Sequence, residues 1–518
     1  MRCVLWAGSL LAVLVQAAVP YIEFDGKDGH IYHELDPLSQ NIPLLDSQKH
    51  LRPPPPRIPT TYDIFIGVSA YRDGVRCGFT LFTAFSRATN PKRVYIGVVD
   101  QTMPDDPKCL DEYCKLANAH WKECRYKDQV KIDARHALES MGPNIARYYQ
   151  QQLVGDQEFC LQVDAHSQLL QDWDTILVKE WARTENEMAV LTNYPLSFRD
   201  LSDDGTYTQT DGSHLCDLME RHKVDDIPYM TGIKRIHNSE HPQMSTFFGA
   251  CLSFSKCHAE KRAPVDKHMK WLFFGEEYLR SYVLWTNGYD LYSPSRHGGV
   301  VFHNWTAKAY ELLYWKDVPK DREERKWKEE AMSHNRLRAI LKLPFHGEVD
   351  TTDINVYDQG TVRSTQQFLN FSGVSQVDAK LDEERCMQLH WVPYARPEII
   401  ELLLPGWSMY SSSTEKKSTE EEKAAWKDSV EAIQALGAKL EAKDVQRQEP
   451  AWLDSLKEKE DELLKKLDAT LREKEDLLLK KLDERNAVMS VSEFTPALVL
   501  LVGLALVALV VRGRWSKI

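Results

Sequence analysis

Asp164 and His166 stand two residues apart at the end of the apolar run Phe159-Cys160-Leu161-Gln162-Val163. In extended backbone, side chains two positions apart project to the same face, so a carboxylate oxygen and an imidazole nitrogen converge there. Such a pair can hold one divalent cation and leave its other coordination positions open for a diphosphate. Mixed oxygen and nitrogen ligation, with oxygen-rich remaining positions, suits Mn2+, with Mg2+ the hard-cation alternative. An Asp-x-His triplet alone arises by chance in many sequences, so its surroundings decide its weight.

Those surroundings read as an α/β fold. Tyr62 to Val68 is a short apolar run that predicts a buried parallel strand. A helix is expected over 78–87, and Arg93 to Asp100 repeats the strand character. This alternation implies a mainly parallel sheet covered by helices on both faces. Ala134 to Leu153 reads as a helix interrupted at Gly142-Pro143, with Pro143 placed to open a second helix. Phe159 to Val163 is a third strand that runs straight into Asp164. Open α/β sheets bind ligands beyond the carboxyl ends of their strands, where this triplet falls.

Several ordered motifs then share a resemblance. Gly142-Pro143-Asn144-Ile145-Ala146-Arg147, Leu161 to His166 and Trp173-Asp174 are followed by Phe274-Gly275-Glu276-Glu277, Leu284 to Asp290, Tyr292-Ser293-Pro294 and His303. Arg363-Ser364-Thr365 and Ser372-Gly373-Val374 come later. Over roughly residues 60 to 378 the chain resembles the N-acetylglucosaminyltransferases that modify hydroxyproline in a ubiquitin-ligase adaptor protein. It is more distantly similar to the polypeptide N-acetylgalactosaminyltransferases, in which Asp-x-His, a Gly-Glu segment and a later histidine occur in the same order. The resemblance implies a GT-A fold, a nucleotide-diphospho-sugar transferase domain with a mixed, mainly parallel sheet, and retention of anomeric configuration. It implies Asp164, His166 and His303 as metal ligands, Arg147 near a UDP-sugar donor, and Glu276 and Glu277 lining the sugar and acceptor side. His297 competes with His303 for the third ligand position, and Arg147 has the alternative of pairing structurally with an acid on its own helix. Glu276 and Glu277 could equally be an acidic pair that complements a helix dipole. Ala70, Tyr71, Arg72 and Asp73 follow the first strand toward the same cleft and read as contacts for uridine or its ribose, with a plain loop as the competing reading. The donor sugar implied is N-acetylglucosamine.

Around this domain the chain carries further signals. Its first residues have one basic residue, an apolar run and small residues near Ala17, the layout of a signal peptide over 1–17. Residues 18–59, closed by Pro53 to Pro56, read as a stiff extended spacer. The transferase domain is expected over 60–318 and a C-terminal extension of it over 319–410. From 411 to 491 the composition is rich in Glu, Lys, Leu and Ala, and Leu456 to Asp461 recurs nearly unchanged as Leu471 to Asp476. That segment predicts a helical stalk, either a solvated spacer or a self-associating coiled coil. Residues 494–511 are almost wholly apolar, long enough for a transmembrane helix, and the basic tail at 512–518 predicts a cytosolic end.

The sequence therefore predicts a secretory-pathway membrane protein, of endoplasmic reticulum or Golgi, with a lumenal catalytic domain. The adaptor-modifying relatives work in the cytosol, so here the expected acceptor is a hydroxyl of a secretory protein or glycan. Nine cysteines follow the signal segment, an odd count that leaves at least one unpaired or paired between chains. Asn304 and Asn370 head N-glycosylation triplets. With Asp and Glu outnumbering Lys and Arg 77 to 65, the chain has no electrostatic footprint for nucleic acid. A non-catalytic lectin-like or scaffolding protein on the same fold is the rival class.

Overall fold

The computed structural model describes residues 19–410, apart from 27–28, 203–204, 218–219, 222–226, 231–232 and 307–313. The expected signal peptide, stalk, transmembrane helix and tail lie outside the described residues. Among the described residues no helix is long and apolar enough to cross a membrane.

Ten strands carry the architecture: β1 (Ile64–Tyr71), β2 (Val94–Thr102), β3 (Val130–His136), β4 (Phe159–Asp164), β5 (Ser167–Leu169), β6 (Ala189–Thr192), β7 (Gln243–Ser245), β8 (Leu252–Lys256), β9 (Asp290–Ser293) and β10 (Val301–His303). Eight of them form one mixed sheet in the order β7-β9-β6-β8-β4-β1-β2-β3. β1 pairs in parallel with β2 and β4, and β2 with β3. β8 runs antiparallel between β4 and β6. The apolar run of β1 is explained by cover on both faces. Ile64, Ile66 and Val68 join a core with Leu81 and Phe85 of helix α1 (Gly74–Ser86), while Phe65 on the opposite face packs with Cys160 and Cys257. Helix α1 also lies tight against α2 (Cys109–Trp121). A Cβ at Gly78 would come within 2.6 Å of the Glu112 Cβ, and Cys77–Cys109 bonds the two helices.

Two sequence expectations are corrected. Ala134 to His136 are not helical but belong to β3, whose residues pair along β2 from Val130 to His136. A single 3-10 turn follows at Ala137–Glu139, and α-helix begins only at Pro143, where α3 runs Pro143–Gln151. Edge pairing to β2 outweighs the helical propensity of Ala134. The N-terminal spacer is likewise packed rather than free. Tyr21–Gly26 and Gly29–Glu34 form a hairpin within a second, antiparallel sheet that includes Lys234–His237 and Gly212–His214. Buried Gln40 and Asn41 donate to the carbonyls of Pro242 and Thr184, and Leu51 enters the main core.

Three further helices matter for the site and its support: α4 (Trp173–Ala182), α5 (Glu276–Thr286) and α6 (Glu323–Leu341). Residues beyond α5 are stitched to the core by buried ion pairs. Arg336 of α6 meets Asp266 at 2.6 Å, and Arg363 meets Asp290 at 2.9 Å. Ser364 then caps the Thr365–Ser372 helix in a reciprocal capping box with Gln367. Four disulfides, Cys77–Cys109, Cys114–Cys124, Cys160–Cys257 and Cys216–Cys386, leave Cys251 as the free thiol among the described residues.

Candidate active site

Asp164 ends β4, and His166 sits in the two-residue turn to β5. Short strand β10 pairs antiparallel with β5 so that His303 lies opposite Ser167. This small clip brings residue 303 beside a triplet 139 positions earlier. Backbone bonds fix it on both sides: His303 N–H donates to Leu196 O at 2.9 Å, and Asn304 N–H to His166 O at 3.0 Å. Thr80 of α1 holds the turn from below. Its hydroxyl is 2.8 Å from the carbonyls of Ala165 and Ser167 and accepts from Ser167 N–H at 3.0 Å.

The result is a convergent donor set. One ligand atom from each of Asp164, His166 and His303 lies within 4.8 Å of the other two. His303 Nε2 is 3.1 Å from Asp164 Oδ2. Two ligands bound at right angles to one ion at ~2.1 Å stand about 3 Å apart, so the spacing fits a shared cation. The buried Nδ1 of His303 has no hydrogen-bond partner. His303 is pushed below its ordinary value by burial, which its Asp164 partner only partly offsets, and it is therefore neutral and able to ligate. Burial works against ionisation of Asp164, yet the His303 hydrogen bond and the Arg147 guanidinium hold its carboxyl well below the usual range. His297, the competitor for the third position, is instead bonded to Glu240 Oε2 at 2.7 Å on the surface.

Opposite the clip, the floor is built by α3 and α5. Arg147 projects from α3, hydrogen-bonds Glu276 Oε1 and lies 4.0 Å from Asp164 Oδ1. Its partner acid is therefore on α5 and not on its own helix. Gly275 precedes α5 with φ +85°, and a Cβ there would fall 2.3 Å from Ile227 Cγ2, so only glycine starts the helix at this point. The two glutamates then diverge in role. Glu276 keeps a buried Oε2 without a hydrogen-bond partner. Glu277 has both oxygens engaged, one by the Tyr194 hydroxyl and one by Ala250 N–H at 2.7 Å. Burial raises the Glu277 carboxyl despite those bonds.

The Ala70-to-Asp73 stretch divides. Ala70 is buried in the core, and Arg72 is committed to Asp106 (2.8 and 3.2 Å) and Asp317 (3.0 Å), so neither lines the cleft. These two expectations are corrected by strand alternation and by the left-handed backbone of Arg72, φ 51°. Tyr71 does line it, with its hydroxyl donated to Asp317 at 2.6 Å, and so does Asp73.

These groups share one open cleft of about 700 Å³ at the carboxyl edge of the central strands. Its wall is aromatic: Tyr194, Tyr229, Phe273, Phe274, Trp305 and Trp315. The Trp305 ring lies 3.9 Å from that of His303, centroid to centroid. Sequence reading did not single out this wall, Arg76 or Cys251. Spacing gives no signal for residues that meet only through the fold. The cleft also contains Asn304, whose Oδ1 accepts Thr306 N–H, so a glycan there would fill it, whereas Asn370 is exposed on its helix.

The sequence profile of a family described as Glycosyltransferase (GlcNAc) matches residues 63–120 and 111–378. No curated protein matches the chain significantly. Among solved structures, GalNAc-T7 with UDP, GalNAc and Mn2+ is 14% identical with a TM-score of 0.38, over 60% of this chain and 57% of that one. The mannosyltransferase PcManGT of Pyrobaculum calidifontis, in complex with GDP-Man and Mn2+, is 13% identical with a TM-score of 0.32, over 64% and 75% of the two chains. S. aureus TarS 1-349 with UDP-GlcNAc is 13% identical with a TM-score of 0.30, over 54% and 73%.

Proposed function

The chain belongs to the Glycosyltransferase (GlcNAc) family, and from that premise we propose that it transfers N-acetylglucosamine from UDP-N-acetylglucosamine to a hydroxyl of a secretory-pathway protein or glycan, with anomeric configuration retained. The convergence of Asp164, His166 and His303 within 4.8 Å carries this reading. These three would hold Mn2+, with Mg2+ the alternative. When bound, the ion would neutralise charge that builds on the departing nucleoside diphosphate.

The chain's own groups supply position and electrostatics. Arg147, held by Glu276 and directed toward Asp164, places a permanent cation where the donor's phosphates would lie. Glu277 fixes Tyr194 and the Ala250 backbone and so shapes the donor pocket. The aromatic wall offers apolar surface against which donor and acceptor would pack. Glu277 is fully hydrogen-bonded and Glu276 is ion-paired to Arg147 through Oε1, an arrangement that supports assistance of the incoming hydroxyl by the leaving phosphate on the same sugar face. Four disulfides and the apolar 494–511 segment support a lumenal catalytic domain in an oxidising compartment, anchored through that segment.

Released UDP, measured with a panel of UDP-sugars and lumenal peptide and glycan acceptors, tests the assignment. Turnover is expected with UDP-N-acetylglucosamine, to be lost in EDTA and restored by Mn2+, and to fall to background in Asp164→Ala and His303→Ala. Full turnover without a divalent ion would remove the metal assignment. No turnover with any donor would favour a binding protein instead.

A further inference from the structure

A second carboxylate stands behind the candidate metal ligands. Asp73, at the start of α1, lies 93 positions before His166, and its Oδ2 is 2.9 Å from His166 Nδ1. Its other oxygen, Oδ1, accepts from Arg76 Nε at 2.6 Å. All three side chains are largely withdrawn from solvent, with 12%, 20% and 26% of their surfaces exposed for Asp73, His166 and Arg76. One nitrogen of Arg76, Nη1, is buried and has no partner.

We infer that Asp73 is a positioning residue that fixes the tautomer of His166 for metal binding, and that Arg76 holds Asp73 in place. The inference rests on the metal site proposed above. A neutral imidazole carries one proton, and only the nitrogen without it can ligate. A carboxylate at Nδ1 can only accept, so it draws the proton there and leaves Nε2 bare for the cation. The same bond fixes the ring plane and raises the basicity of the ligating nitrogen. His303 lacks this support, since its Nδ1 meets no acceptor. The two imidazoles are therefore unequal, with His166 the preset ligand. Arg76 balances the Asp73 charge, so the carboxylate stays bonded to the ring and does not turn in to become a ligand itself.

The test is Mn2+ binding to the full chain, followed by the electron paramagnetic resonance signal of free Mn2+ and independent of turnover. Removing such a partner weakens metal binding by about 10- to 100-fold. Asp73→Asn is expected to fall in that range, because its amide can donate to Nδ1 and drive the proton onto Nε2. Arg76→Gln is expected to cause a smaller loss. The decisive measurement is the pair: in a His166→Ala background, Asp73→Asn should change Mn2+ affinity less than twofold, because the group it orients is gone. Equal affinity of wild type and Asp73→Asn overturns the inference and leaves the proposed function standing. So does an undiminished effect in the His166→Ala background, which would mark Asp73 as a general support of the fold. Absence of Mn2+ binding by the wild-type chain would overturn both.

Discussion

Glu276 and Glu277 are adjacent carboxylates on one helical turn, yet their surroundings make them different kinds of group. Replacing Glu276 by Gln keeps the side-chain shape but removes the charge that balances Arg147 and leaves no anion at the buried Oε2. Glu276→Gln is expected to lower kcat of the folded protein by about 100-fold, the scale of losing one electrostatic element of an active site, beyond what any fall in melting temperature explains. Glu277→Gln keeps an acceptor for Ala250 N–H but puts an amide donor against the Tyr194 hydroxyl, which must turn to accept and leaves its own proton only Met230 O at 3.5 Å. A buried donor left without an acceptor costs about 1–3 kcal/mol, so this variant should melt earlier and lose activity through loss of folded protein. Steady-state kinetics beside thermal melts separate the two, and equal melting temperatures with equal kcat would refute the division. At this scale the sequence singles out Asp164 and His166 as a pair at a strand exit, although the turn after β4, and not extended backbone, sets their relation. Asp73 and Tyr194 are not legible in the same way, since their roles come from partners 93 and 83 positions distant.

At the level of elements, the site depends on the β5–β10 clip and the side chain that braces it. Two three-residue strands cannot stabilise themselves, so the turn at Asp164-Ala165-His166 needs the Thr80 hydroxyl between its carbonyls and the Ser167 amide. Thr80→Val keeps the volume and removes the hydroxyl. It is expected to destabilise the fold by about 1–3 kcal/mol, through the unsatisfied Ser167 N–H, and to weaken Mn2+ binding together with it. Unchanged denaturation and unchanged Mn2+ affinity would show that the strands hold the turn unaided. Continuous apolar runs made β1, β2 and β4 readable, because strands covered on both faces need no alternation. The end of β3 reads as helix at Ala134 because an edge strand draws its identity from the neighbour it pairs with, and no pattern within Ala134 to His136 records β2. Clip strands of three residues are too short to carry any periodic signal.

Over the whole molecule, the segments on either side of the expected transferase domain are joined to it by buried groups that composition conceals. Residues 18–59 are polar and proline-broken, which reads as a spacer, but the hairpin at Tyr21–Glu34 pairs with Lys234–His237, a strand over 200 positions away. The same packing buries histidines far from the cleft, and these set how the fold responds to acid. His214 is bonded to Ser293 Oγ at 2.7 Å and His258 to the Tyr289 hydroxyl at 2.8 Å. Burial pushes both down to about 3 from an ordinary 6.5. Below pH 6.5 the unfolded chain therefore binds a proton at each that the native protein refuses, so stability falls as pH falls, and the effect runs on toward pH 3. Each histidine contributes about 1.4 kcal/mol per pH unit in that window, giving the pair about 4 kcal/mol between pH 7.5 and 5. His303 and His241 are depressed by burial too and add in the same direction. Urea midpoints at pH 7.5 and 5 should differ accordingly. The His214→Gln, His258→Gln double variant should be less stable at pH 7.5 but show a shallower decline. A double variant whose midpoint falls as steeply as that of the wild-type chain would mean that these histidines admit protons in the folded state.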